Sequence, residues 1–366
     1  MAEPLLIQVF LRGGADGLNL VVPYGDADYL RFRATLGLAR PGQSGGCLDL
    51  DGFFGLHPAM SSLLPLYADG ELAVLHAVGT DDVTRSHFSA QDRLEHAGPA
   101  GQDVGSGWMA RYLRGLPEPP GPMTAVAFGR AMPESLRGAP SAAVLEGLDD
   151  LPLGDEPAFS EAVGLLYAQA GGLLGSAGSQ ALTSLEKVRA LRAQPASEVS
   201  YPEGAFGRHL RALARLVHGD VGVRIACVDL DGWDTHFVQP TLFEGLARPL
   251  AEGLAALKRD LGTAQWAQTT VVVMSEFGRR IPENGSLGTD HGRGGMALVL
   301  GGNVRGGRVL ADWPGLAPGG VLDAHDLAVT LDARQILADV LGGTTGARLE
   351  QVFPGLAVTP VGLIGG

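Results

Sequence analysis

Charge is scarce in this sequence. Only 18% of its 366 residues are charged, against about 25% in an average soluble domain. No Lys/Arg cluster offsets the net charge of −13, so nucleic acid is not expected as a partner. An anionic small molecule stays open, because a bound divalent cation reverses the local field. No run of 18 or more apolar residues offers a membrane span. Cysteine is nearly absent. Cys47, in a Gly-rich loop, reads as a solvated thiol and Cys227 as a core residue, and neither belongs to a zinc or redox pair. There is no internal repeat. The Met-Ala-Glu-Pro start has neither a basic n-region nor a twin-arginine pair, so the chain as written is expected in the cytoplasm; a twin-arginine signal removed ahead of it would make it periplasmic or exported. Nothing in the sequence fixes an oligomeric state.

Apolar residues and turn formers are plentiful. Hydrophobic residues make up 45% of the chain, and 55 glycines with 23 prolines and no collagen-like period imply many turns and long loops. A single principal domain over residues 1–366 is expected, with 97–200 as a Gly/Pro-rich and helical insertion or cap. Apolar runs predict strands over 5–11, 72–78, 125–128, 221–230, 270–274 and 296–300. Helices are predicted from Pro58, from Ser86, over 159–191, from Pro202 to about 217, over 241–261 and over 332–341. Strand, helix, strand from Val221 onward is the parallel α/β signature, whose ligands gather at the carboxyl edge of the sheet.

Two acid and histidine pairs flank the apolar run that ends in Ser275-Glu276. Asp234-Thr235-His236 follows the strand from Val221, and Asp290-His291 sits between glycines that let both side chains enter a crowded site. Carboxylates and neutral imidazoles are what a divalent cation needs. Asp16 leaves the first strand on the glycine-rich turn Arg12-Gly-Gly-Ala-Asp-Gly, a good place for another ligand. Glu276 ends its strand either as a ligand or paired with Arg279 or Arg280. Ser86 is an N-cap or a metal-activated nucleophile. His87 is a ligand, an acid–base group or a packed neighbour. Arg12, Arg85 and Arg279 are candidate clamps for phosphate or sulfate oxygens. Asp231 and Trp233 read as loop packing, and His57, His76, His96, His209, His218 and His325 lack acid partners at diagnostic spacing.

The strings Phe10 to Asn19, Arg85-Ser-His-Phe88, Gly232-Trp-Asp-Thr-His236, Ser275-Glu-Phe-Gly-Arg279 and Gly288-Thr-Asp-His-Gly292 together resemble the bacterial domain-of-unknown-function family 1501. The resemblance runs from the first strand to Val352-Phe-Pro354. Through that family it reaches the alkaline phosphatase and sulfatase superfamily, which implies a three-layer α/β sandwich around a mostly parallel sheet. It further implies a metal-dependent hydrolase or transferase acting on a phosphate or sulfate ester, with one or two ions of zinc, manganese, magnesium or calcium. Asp234, His236 and His291 would hold one ion, and Asp16, Ser86, Glu276 and Asp290 a second. Phe277 departs from the pattern where a ligating histidine is expected, so either Asp290 substitutes or the site holds one metal. The alternative is a non-catalytic binding or assembly protein that keeps the fold and a reduced metal site.

Overall fold

The structure, a computed structural model, describes residues 3–148, 157–170, 172–193, 195, 197–317, 321–322 and 325–365. Every residue of Leu5–Leu11 (β1) is buried. A strand buried on both faces needs neighbours on both edges and cover above and below. It has both. The other strands of its sheet are Leu72–Gly79 (β2), Ala125–Phe128 (β3), Ala143–Leu145 (β4), Ile225–Leu230 (β5), Thr269–Met274 (β6), Gly295–Gly301 (β7), Arg308–Leu310 (β8) and Leu331–Asp332 (β9). Their order is β8-β2-β7-β6-β1-β5-β3-β4, with β9 beside β2.

Alternation divides the sheet between two cores. Leu5, Ile7, Val9 and Leu11 share one face with Val271 and Val273, covered by helices Ala205–His218 (α3) and Gln239–Trp266 (α4). Leu6 and Phe10 share the other with Val272 and Met274, under Trp108–Arg114 (α2) and Ala333–Thr345 (α5). The result is the three-layer α/β fold that the sequence led us to expect. Residues 97–200 supply α2, β3 and β4 to this body, and the helices Pro157–Ala170 and Gly172–Arg192 pack against each other beyond them.

One strand departs from the parallel pattern. β7 is antiparallel to both β2 and β6, whereas β1, β5 and β6 run parallel. It therefore starts at the edge where β1, β2, β5 and β6 end, and the loop before it meets the loops after them.

Cys47 corrects the sequence reading. It is buried with Leu18, Val22 and Tyr29 rather than solvated, and burial pushes its thiol up to about 11. The glycine-rich stretch around it is folded back by a small sheet of Val21–Val22, Gly55–Leu56 and Leu48–Asp49. Among the described residues, no helix is long and apolar enough to cross a membrane.

Candidate metal centre

The loops after β1, β5 and β6, the loop before β7 and the start of His87–His96 (α1) meet at that edge. Two glycines let the backbones close up. Gly13 has φ +118°, and a Cβ there would lie 2.5 Å from the Asp234 amide nitrogen. At Gly288 a Cβ would come within 2.2 Å of the His236 carbonyl. Any larger residue at either position pushes the Asp234–His236 loop away.

His87, His236 and His291 direct their Nε2 atoms at one carboxylate oxygen, Asp234 Oδ1, at 3.5, 3.1 and 3.0 Å. His236 Nε2 stands 2.9 Å from His291 Nε2. The other nitrogen of each ring faces an acceptor. His87 Nδ1 lies 2.8 Å from Glu276 Oε1, His236 Nδ1 3.3 Å from Asp290 Oδ1, and His291 Nδ1 2.9 Å from the Arg85 carbonyl oxygen. An acceptor at Nδ1 draws the ring proton there, so each neutral imidazole is left with a lone pair on Nε2. Three lone pairs and an anionic oxygen then converge, and they repel one another unless a cation or a proton sits among them. The His87 Nε2 atom is buried without a hydrogen-bond partner. Ligand atoms of His87, Asp234 and His291 all lie within 4.8 Å of one another. Three imidazoles and one carboxylate suit a transition-type divalent ion such as zinc and fit poorly the oxygen-seeking magnesium and calcium.

The carboxylates around the rings are held ionised. Burial opposes the charge on Asp234, but the hydrogen bond and the positive charge of Arg279 prevail and its carboxyl falls to about 2. Burial opposes Glu276 as well, yet His87, Gln91 and the backbone bring it to about 2. Its Oε1 accepts from the Gly13 N–H and from Gln91 Nε2, each at 3.0 Å. Burial also works against Asp290, and Asn284 and His236 lower it all the same. The bond to Glu276 raises the basicity of His87, while burial lowers that of His291.

Asp234, His236 and His291 thus meet as the sequence led us to expect, and His87 joins them. Glu276 and Asp290 stand behind His87 and His236 and orient those rings. Asp16 lies elsewhere. Its Oδ2 accepts from Arg33 Nη1 and Gln239 Nε2, both at 2.6 Å, and its Oδ1 from Arg33 Nη2 at 3.1 Å. Among the described residues, Asp16, Glu276 and Asp290 of the expected second set form no cluster of ligand atoms, and Asp16 is instead paired with the buried Arg33. Ser86 takes the N-cap backbone position of α1 but makes no side-chain capping bond.

The three arginines are struts rather than open clamps, a correction to the sequence reading. Arg12 binds Glu95 and Asp229, each at 2.9 Å. Arg85 Nε donates to the buried Asp326 at 2.8 Å. Arg279 donates to Asp234 Oδ1 at 2.7 Å and to the carbonyls of Gly13, Gly14, Trp233 and Thr289. Guanidinium forks matched to these oxygens are already satisfied. Phe277 lines the centre, its ring centroid 5.0 Å from that of His87 and 4.8 Å from that of His291. Trp233 packs in the core against Phe243, as its loop-packing reading implied.

Some partners were missed. Gln91 lies four residues after His87 on the same helix, a spacing that puts both on one face and was legible. Arg33 and Asn284 reach the site from irregular loops and carry no such signal. His96, read as lacking an acid partner, has Asp92 at 2.9 Å from Nδ1 and Glu134 at 3.6 Å from Nε2. Ligand atoms of Asp92, His96 and Glu134 all lie within 4.8 Å of one another, a second small cluster of metal-ligating side chains near the surface.

Residues 3–346 match the family described as "Protein of unknown function (DUF1501)". No curated protein matches the chain. Among solved structures, Ps i-CgsB in complex with k-i-k-neocarrahexaose shares 13% identity and a TM-score of 0.40, over 96% of this chain and 74% of that one. BT1596, a 2-O GAG sulfatase, shares 9% identity and a TM-score of 0.34, over 84% of this chain and 66% of that one. Likenesses so distant decide nothing about the reaction. The family match spans most of the chain, which therefore belongs to the DUF1501 family of proteins of unknown function.

Proposed function

We propose that this protein is a metal-dependent hydrolase or transferase acting on a phosphate or sulfate ester, with one transition-type cation held by His87, Asp234, His236 and His291. The convergence of three Nε2 atoms on Asp234 Oδ1 carries the cation; the ester class rests on the order of the sequence motifs. Bound there, the cation supplies Lewis acidity toward an ester oxygen and the attacking group. The protein's own part is orientation. Glu276, Asp290 and the Arg85 carbonyl hold the three Nδ1 protons, so each ring keeps the tautomer that ligation needs. Arg279 keeps Asp234 ionised. Ser86 precedes His87 at the start of α1, where backbone N–H groups favour an anion, and is our candidate nucleophile.

Metal-loaded protein tested on p-nitrophenyl phosphate, bis(p-nitrophenyl) phosphate and p-nitrophenyl sulfate is expected to turn over at least one ester and to lose that activity on chelation. Stoichiometric metal without turnover of any ester would overturn the catalytic reading. It would favour the second one, a binding or assembly protein with a reduced metal site. The engagement of Arg12, Arg85 and Arg279 by internal oxygens, and Phe277 against the histidines, speak for that alternative.

A further inference from the structure

We infer that Gln239 is the positioning residue of the metal centre: its carboxamide ties the His236 loop to the His291 loop and sets the separation of those two ligands. The inference rests on the metal-site reading above. Gln239 opens α4 directly after Val238, whose φ of +42° turns the chain into the helix. Its backbone N–H donates to the Leu287 carbonyl at 2.8 Å, anchoring the helix start to the segment that leads to His291.

The side chain does the rest. Gln239 Nε2 donates to Asp16 Oδ2 at 2.6 Å, and Oε1 accepts from Thr235 Oγ1 at 3.0 Å and from Thr289 Oγ1 at 2.8 Å. The carboxylate only accepts, so the amide nitrogen must face Asp16 and the oxygen must face the two hydroxyls. Thr235 lies between Asp234 and His236, and Thr289 immediately precedes Asp290-His291. One amide oxygen therefore grips both ligand loops. The Thr289 N–H donates to the Thr235 carbonyl at 3.2 Å, closing the same junction through the backbone.

Arg33, Asp16, Gln239, Thr235 and Thr289 are all at most 1% exposed. A polar chain so deeply buried is costly to disturb and holds a single arrangement. It also gives Asp16 a role: the acid expected on a metal fixes the orientation of Gln239, and Arg33 fixes Asp16.

Cobalt(II) titrated into the full chain, followed by calorimetry and by its visible spectrum, tests the role. Thr235→Val and Thr289→Val keep shape and remove the hydroxyl, and Gln239→Met removes the amide. Each is expected to weaken cobalt binding by about 10-fold or more, as loss of a group that orients a ligand does, and to change the spectrum. Thr235→Ser and Thr289→Ser should bind as the wild type does. Gln239→Met combined with Thr289→Val should lose no more than Gln239→Met alone, since the shared bond is already gone. If Gln239→Met does not fold, the threonine variants decide alone. Wild-type affinity and spectrum in folded valine variants would overturn the positioning role and leave the metal centre standing, and fully additive losses would overturn it too. Failure of the wild type itself to bind cobalt would overturn the metal reading and this one together.

Discussion

His236 and His291 face each other through Nε2 atoms 2.9 Å apart, with Asp234 Oδ1 at 3.1 Å from the first and 3.0 Å from the second. Neither ring has an Nε2 proton to offer while its Nδ1 serves Asp290 or the Arg85 carbonyl. Something positive belongs between them.

His87→Ala and His236→Ala are each expected to lower zinc affinity by about 10-fold or more with the fold retained, since even groups behind a ligand are worth about 10–100-fold. Calorimetric titration against circular dichroism checks this. Unchanged affinity in His87→Ala would remove His87 from the centre and leave the three ligands named by the sequence motifs.

Asp16→Ala separates structure from ligation. Asp16 and Arg33 are both fully buried and paired at 2.6 Å. Removing one partner of such a pair leaves an uncompensated charge and costs about 3–5 kcal/mol. Urea denaturation of the metal-free protein should show that loss. A change much below 1 kcal/mol would mean that Arg33 finds other oxygens or that the pair is not formed.

The six longer strands of the sheet were legible as apolar runs, and β1 and β3 fall on the predicted residues, while the unread β4, β8 and β9 are only two or three residues long. That Asp234, His236 and His291 come together was legible because they lie in the two acid and histidine motifs flanking the apolar run that ends in Ser275-Glu276. Two facts were not. That β7 runs antiparallel is set by pairing across the sheet, to which a local apolar pattern is blind. The partner of Asp16 is Arg33, brought there by an irregular stretch whose Gly-rich composition announces a loop but not its course. Hence a ligand was read where the fold has an internal ion pair, and the candidate ligand atoms cluster at one point where two sets were conceivable.

Ser86→Ala should leave the melting temperature nearly unchanged, within about 0.5 kcal/mol of stability, because the serine makes no capping bond. Any loss of ester turnover in that variant then reports on chemistry. A stability loss of about 1 kcal/mol or more would restore the capping role.

His76 gives a pH dependence away from the centre. It is fully buried, its Nε2 against the Val21 carbonyl oxygen at 3.0 Å and its Nδ1 accepting from the Ala77 N–H at 2.9 Å. Burial lowers its pKa to about 4. The unfolded chain, near 6.5, takes up the proton first as pH falls. The stability associated with neutral His76 is therefore complete above about 6.5 and lost toward about 4, roughly 3 kcal/mol in all. The stability of the wild type relative to His76→Leu should fall as pH falls across that window. A gap independent of pH would mean that His76 is not buried as a neutral ring.

An anomalous difference map from crystals grown with zinc, measured on both sides of the zinc absorption edge, tests the centre most directly. One peak is expected within about 2.0–2.2 Å of His87 Nε2, His236 Nε2, His291 Nε2 and an Asp234 carboxylate oxygen, and none at Asp16. A peak held by Asp16, or no peak among these histidines in zinc-saturated protein, would contradict the single-ion centre on which the proposed chemistry depends.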